Sequence, residues 1–440
     1  MINLFGEKII EHETNTSEWG TFRDSLKAPI HRWFTYPAGF SYKAVEYAIF
    51  KYQIKPGQII YDPFMGSGTT NVVAKFLGIN SYGIEAHPFV FEIAKTKLNW
   101  DISTKEAISF LEKIETYVKN WNRNKPRDLN EYLKNTYPQL VLKCFLEHTL
   151  FELTGIKKFI TNNIPNESLK SFFKVALIRT LREVSIAATG WPYIAPDKVK
   201  ITNKSKNGLN QFKESCFLML SDIQECNKTR KKINSSHEIL LANSAASKFE
   251  TESADFIFTS PPYLNNYDYA DRTRLEMYFM GEAKNWKEIS KIVRTKLMTS
   301  TTTQITRKKD FPLDKNFIKD CPEVTDFLAK ATSQLEDLRK TKGGKKSYDL
   351  LVRGYFNDMY KILKDNFRVL KPNSYALYIL GDSAPYGVHI PTDELIGKIG
   401  IDIGFKEYSI QVLRSRGSKW KNNPQRHNVN LRESIVILKK

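Results

Sequence analysis

No stretch of this 440-residue chain reaches the roughly eighteen consecutive apolar residues that a membrane span needs, although 41% of the chain is hydrophobic. The opening residues 1–8 carry no signal-peptide pattern either, so the expectation is a soluble, cytoplasmic protein with no membrane partner. Cysteine is scarce. Cys144, Cys216, Cys226 and Cys321 are scattered without a CxxC pair, which argues against a disulfide framework and a cysteine-bound metal, and no metal is expected. Acidic residues are short as well, 48 against 67 basic ones, leaving a net charge of +19. That balance disfavours an acidic small substrate and favours a polyanion, because neutralising phosphates supplies most non-specific nucleic-acid affinity. Charge does not choose between DNA and RNA, but no RNA-binding module is evident.

What the chain does contain is organised around one turn. Residues 58–61 form a short apolar run typical of a buried strand, and from Asn71 to Leu77 apolar residues recur at helical spacing. Between them lies Asp62-Pro63-Phe64-Met65-Gly66-Ser67-Gly68-Thr69-Thr70. Gly66 and Gly68 permit a tight strand-to-helix turn that brings backbone close to a ligand at a strand's carboxyl end. A second strand, residues 82–85, ends on Glu85, an acid about twenty positions after the glycines, the usual partner of ribose hydroxyls. Far downstream the apolar strand 254–259 runs into Ser260-Pro261-Pro262-Tyr263.

Together the two stretches resemble the amino-methyltransferases that use S-adenosylmethionine to methylate exocyclic nitrogens of DNA bases. The resemblance covers about 31–100 and 236–440. It implies a cofactor site built from Asp62, Pro63, Phe64, Gly66, Ser67, Gly68 and Thr69, with Glu85 on the ribose and Asn243 beside the adenine. Phe34 and Tyr36 stand where related enzymes close over the methionine end of the cofactor. Ser260, Pro261, Pro262 and Tyr263 match the catalytic motif. In the family, Ser at its first position usually accompanies N4-cytosine and Asp or Asn accompanies N6-adenine, so cytosine is favoured and adenine is the alternative. An RNA base methyltransferase and a catalytically silent nucleic-acid-binding subunit are rival readings. The partners implied are double-stranded DNA and a cognate restriction endonuclease or defence-system subunits.

The chemistry suits the motif. An exocyclic amine is a poor nucleophile because its lone pair is delocalised into the ring. If the Ser260 hydroxyl and the Pro261 carbonyl both accept hydrogen bonds from it, they draw it toward tetrahedral geometry and aim its lone pair at the methyl group. The prolines stiffen these acceptors, and Tyr263 is expected to stack on a base rotated out of the duplex. Transfer is direct. Methylation at cytosine carbon 5 would need a cysteine nucleophile after a proline, whereas Cys321-Pro322 has the opposite order.

Strands alternating with helices predict a doubly wound, Rossmann-like α/β sheet that closes on a terminal antiparallel hairpin, residues 405–413 and 433–438. Residues 101–235 read as a largely helical insertion, with apolar periodicity over 107–118, 140–153, 169–188 and 211–226; they are the candidate target-recognition region. Within it the aromatic turn 189–198, followed by lysines, suits a nucleic-acid surface. A second insertion, 285–346, is basic: residues 286–310 hold seven Lys or Arg against Glu288 and Asp310. It is expected to be a mobile loop in which Arg307, Lys308 and Lys309 contact DNA phosphates.

Overall fold

The computed structural model describes residues 16–36, 39–188, 194–199, 206–229, 234–265, 267–305, 311–342, 346–416 and 429–440. Its strands are β1 (Ile59–Asp62), β2 (Asn80–Glu85), β3 (Ala187–Ala188), β4 (Ala195–Val199), β5 (His237–Leu241), β6 (Ala254–Thr259), β7 (Leu370–Gly381), β8 (Glu407–Arg416) and β9 (Leu431–Lys439). Seven of them make one sheet in the order β5-β2-β1-β6-β7-β9-β8, and β3 pairs with β4 in a separate hairpin. The first five of that order run parallel; β9 runs antiparallel to both β7 and β8. This is the doubly wound sheet with an antiparallel finish that the alternation of strands and helices predicts. From β1 the chain steps to β2 on one side and returns much later as β6 on the other, so strand order reverses beside β1. Ligands of open α/β sheets bind outside the carboxyl ends of strands at such a reversal.

Both faces of the sheet are covered at its centre, which explains the apolar runs of β1, β6 and the end of β7; edge strand β5 has no buried residue. On β6, Phe256 and Phe258 pack into a layer with the helices Tyr42–Lys51 and Thr69–Leu77, while Ile257 packs on the other side with Tyr348–Val369 and Thr392–Ile403. The first of these layers takes in the helical insertion. Leu111, Phe172 and Phe212 belong to the same core as Phe256. On the insertion helix Gly208–Thr229, buried Asp222 accepts hydrogen bonds from the Ile30 amide and the Trp33 indole, each at 2.9 Å, and pairs with Arg32. The insertion is thereby tied to the segment that precedes the cofactor loop.

Two local expectations need correction. The periodic stretch 140–153 is two helices, Gln139–Cys144 and Glu147–Asn163, because the Cys144 carbonyl accepts the Ile186 amide at 2.8 Å and the Ser185 hydroxyl instead of continuing the ladder. The basic insertion is not a loop throughout. It contains the helix Trp286–Ile289, which continues through a wider turn at Ser290–Arg294, then the helices Lys315–Asp320 and Pro322–Thr341. The last of these buries Val324, Leu328, Ala331 and Leu335 against the layer that holds Tyr355, so apolar burial outweighs the charge density of the run before it. Among the described residues no helix is long and apolar enough to cross a membrane. All four cysteines are buried and free.

Candidate active site

β1 delivers Asp62 to the carboxyl edge of the sheet, and the chain then turns through two left-handed glycines, Gly66 (φ 53°) and Gly68 (φ 87°). A Cβ on Gly66 would sit 3.4 Å from the Tyr36 ring; one on Gly68 would meet Ala94 at the same distance. At that distance a Cβ would make only ordinary van der Waals contact, so it is the left-handed backbone at both positions, rather than a lack of room, that calls for glycine. Asp62 faces inward. Its carboxylate accepts from the Phe64 amide at 3.0 Å and from the Thr259 hydroxyl at 2.6 Å, locking β1 to β6, and burial pushes it up to about 6.

A cleft opens beyond these strand ends, about 770 Å³ with the open solvent at its mouth included. From the glycine turn, Pro63, Phe64, Gly66, Ser67 and Thr69 border it, and so do Glu85 at the end of β2, Asn243 just past β5, and Tyr36. Phe34 does not; it stands behind Tyr36, the ring centres 6.2 Å apart, and is buried in the core. Glu85 accepts the His87 amide at 2.7 Å, and burial raises its carboxyl to about 7 against the pull of the His87, Gly66 and Ala86 amides. Ser260 and Pro262 reach the cleft from the end of β6. The Ser260 hydroxyl donates to the Ile379 carbonyl of β7 at 3.2 Å, which leaves its lone pairs as acceptors.

Tyr263 departs from expectation. Instead of presenting an open ring it is 8% exposed and lies off the cleft, its hydroxyl donating to Glu433 of β9 at 2.9 Å. Arg414 holds the other Glu433 oxygen at 2.7 Å, and the Arg416 guanidinium lies 5.2 Å from the Tyr263 ring centre. Asp62, Gly68 and Pro261 do not border the cleft either; the first two shape the turn that does.

Comparison with known proteins finds relatives along the chain. A family model described as DNA methylase matches residues 8–96. The Type II methyltransferase M.BsoBI of Geobacillus stearothermophilus is 27% identical over 99% of this chain and 88% of its own length. The Type II methyltransferase M.AvaI of Nostoc is 28% identical over 93% of this chain and 86% of its own, and M.MvaI of Kocuria varians 26% over 100% and 96%. These matches support placing the chain among the S-adenosylmethionine-dependent DNA amino-methyltransferases. Methyltransferases of this family use S-adenosylmethionine as methyl donor, and the cleft fits such a group: a buried carboxylate at one strand end, apolar Ile84, Phe64 and Met298, and an acceptor hydroxyl at the neighbouring strand end.

One wall of the methyltransferase's cleft is absent from the sequence reading. Lys296, Leu297, Met298 and Ser300 of the basic insertion line it. One side chain, Gln304, makes most of the bonds that hold them. The Gln304 oxygen accepts the Ser300 and Thr301 amides at 2.9 and 3.1 Å, while its nitrogen donates to the Met298 and Leu297 carbonyls at 2.8 and 3.3 Å. Ser300 in turn accepts the Asn265 amide of the catalytic loop at 2.9 Å, and Asp358 takes the Thr299 amide at 2.7 Å. A signal existed: Thr301-Thr302-Thr303-Gln304 has the spacing of a capping box, and the box is formed. Arg307, Lys308 and Lys309 lie outside the described residues, as do the aromatic residues 191–193 of the turn in the helical insertion.

Proposed function

We propose that the chain methylates the exocyclic N4 of cytosine in duplex DNA, as the modification enzyme of a restriction-modification or related defence system, with a cognate restriction endonuclease or defence subunits as partners. The observation that carries this is Ser260, set at the cleft's edge with its proton donated to the Ile379 carbonyl, so that its oxygen can act as an acceptor. Two acceptors, Ser260 Oγ and the Pro261 carbonyl, take the amine's two hydrogens, so its lone pair turns out of the ring plane toward the cleft. S-adenosylmethionine supplies the methyl group. Bound in the cleft, it would offer its methyl group to the nitrogen lone pair in exchange for one amine proton, which Ser260 Oγ and the Pro261 carbonyl would orient for release to solvent. Glu85 accepts the ribose hydroxyls, Asn243 lies beside the adenine, and Tyr36, backed by Phe34, closes over the methionine end. The backbone from Asp62 to Thr69 supports the cofactor's approach.

The net charge of +19 supports duplex DNA as substrate, with Arg307, Lys308 and Lys309 on phosphates and the helical insertion, 101–235, reading the target. Type II methyltransferases matched along nearly the whole chain support the restriction-modification setting. Mass spectrometry of nucleosides from DNA methylated by the purified enzyme tests the base: N4-methylcytosine is expected. N6-methyladenine without N4-methylcytosine would overturn the assignment, and mapping the modified sites returns the recognition sequence.

A further inference from the structure

β8 ends on Arg416, whose surroundings differ from those of the other arginines nearby. Arg414 pairs with buried Glu433, and Arg432 with Asp393 and Glu394. Arg416 makes no ion pair among the described residues. Its guanidinium contacts the Tyr263 ring, 5.2 Å from the centre, and a carbonyl, that of Asp382, at a long 3.4 Å. Gly381 creates the space for this: a Cβ there would collide with Arg416 Nη1 and come within 2.9 Å of Tyr263. Tyr263, meanwhile, is fixed from below by Glu433. A rigidly held ring thus carries a planar cation that little else anchors among the described residues.

We propose that Arg416 belongs to the target-base site and holds the base's place on Tyr263: its guanidinium covers the ring until an extruded nucleotide displaces it. This rests on the reading that Tyr263 stacks the target base. Guanidinium planes and bases both stack on aromatic faces, so one replaces the other without exposing Tyr263 to water. Arg416 is then a competitor of the extruded base, and removing it shifts the balance toward extrusion. A cation–π contact of this kind is worth roughly a three- to thirty-fold ratio.

The test uses the full-length enzyme and a duplex of the mapped recognition sequence with 2-aminopurine at the target position. At saturating protein, R416A is expected to raise the extruded-to-stacked ratio by roughly three- to thirty-fold, with unchanged cofactor affinity as the control for folding. In a Tyr263→Ala background the same change should have no effect, since the ring being competed for is gone. If Tyr263→Ala lowers extrusion while R416A leaves it unchanged or lowers it, the place-holding role is overturned and base stacking stands. If Tyr263→Ala itself leaves extrusion unchanged, the stacking reading falls, and this inference with it.

Discussion

Replacing Glu85 with glutamine removes a charge that the fold holds at a cost. Burial raises this carboxyl from 4.5 to about 7, so the folded chain binds the proton more tightly than the unfolded one. The stability this provides is complete below the unfolded value, is lost as pH climbs toward about 7, and is absent above it. At about 1.36 kcal/mol per pH unit the loss comes to roughly 3 kcal/mol. E85Q stays neutral and escapes it. At about pH 8 the cofactor-free E85Q chain should therefore be the more stable, by up to ~3 kcal/mol, and the two chains should converge toward about pH 4.5. Asp62, also raised, to about 6, is present in both chains and cancels in the difference. Cofactor affinity should move the other way. An ionised carboxylate accepting ribose hydroxyls is worth about 1.5–3 kcal/mol per bond, so E85Q should bind S-adenosylmethionine at least ~10-fold more weakly at about pH 8. Wild-type affinity should fall as pH drops through about 7, and E85Q affinity should stay flat. Urea unfolding and calorimetric titration read the two effects separately. Equal stability of the two chains at high pH would refute the desolvation of Glu85, and a pH-independent wild-type affinity would remove it from the ribose.

Two further substitutions probe the other walls of the cleft. Ser260→Ala deletes one acceptor for the amine; by analogy with oxyanion-hole donors, worth about 2.7–4 kcal/mol, single-turnover methylation should slow on the order of a hundredfold or more with cofactor affinity intact. Full activity of that variant would refute the mechanism. Gln304→Ala frees two amides and two carbonyls of residues 297–301, and calorimetry should show cofactor affinity down by about tenfold, on the scale of one unsatisfied polar group. Gln304→Glu keeps the acceptor and loses both donors, so it should restore only part of that affinity; an unchanged affinity in Gln304→Ala would show that the wall does not contact the cofactor.

The strands and the glycine turn were legible because their signals are local. An apolar run before Asp62, glycines at the two left-handed positions and an acid closing the next strand are each encoded within a few residues of where they act. The same holds for Ser260, which directly follows the strand that positions it. The cover on Tyr263 was not legible because it comes from Glu433, which takes its hydroxyl, and Arg416, which lies over its ring, residues more than a hundred positions away that meet it only after β8 and β9 close the sheet. The split of 140–153 has the same origin, since the competing amide, Ile186, arrives from the far end of another helix.

The basic insertion teaches a different lesson. Its charge drew attention from two patterns that were present: apolar residues at 324, 328, 331 and 335, spaced four, three and four, and the Thr301-to-Gln304 capping box. A polar run without apolar period predicts a mobile loop, yet a single amide side chain meets four backbone groups and builds a wall of the cleft. Irregular backbone beside a ligand site must satisfy its own hydrogen bonds as strictly as a helix does. Where no ladder exists, a side chain with both a donor and an acceptor has to supply them. A glutamine or asparagine at capping distance from a threonine-rich run is therefore evidence of a built turn, and here it marks the part of the insertion that lines the cleft.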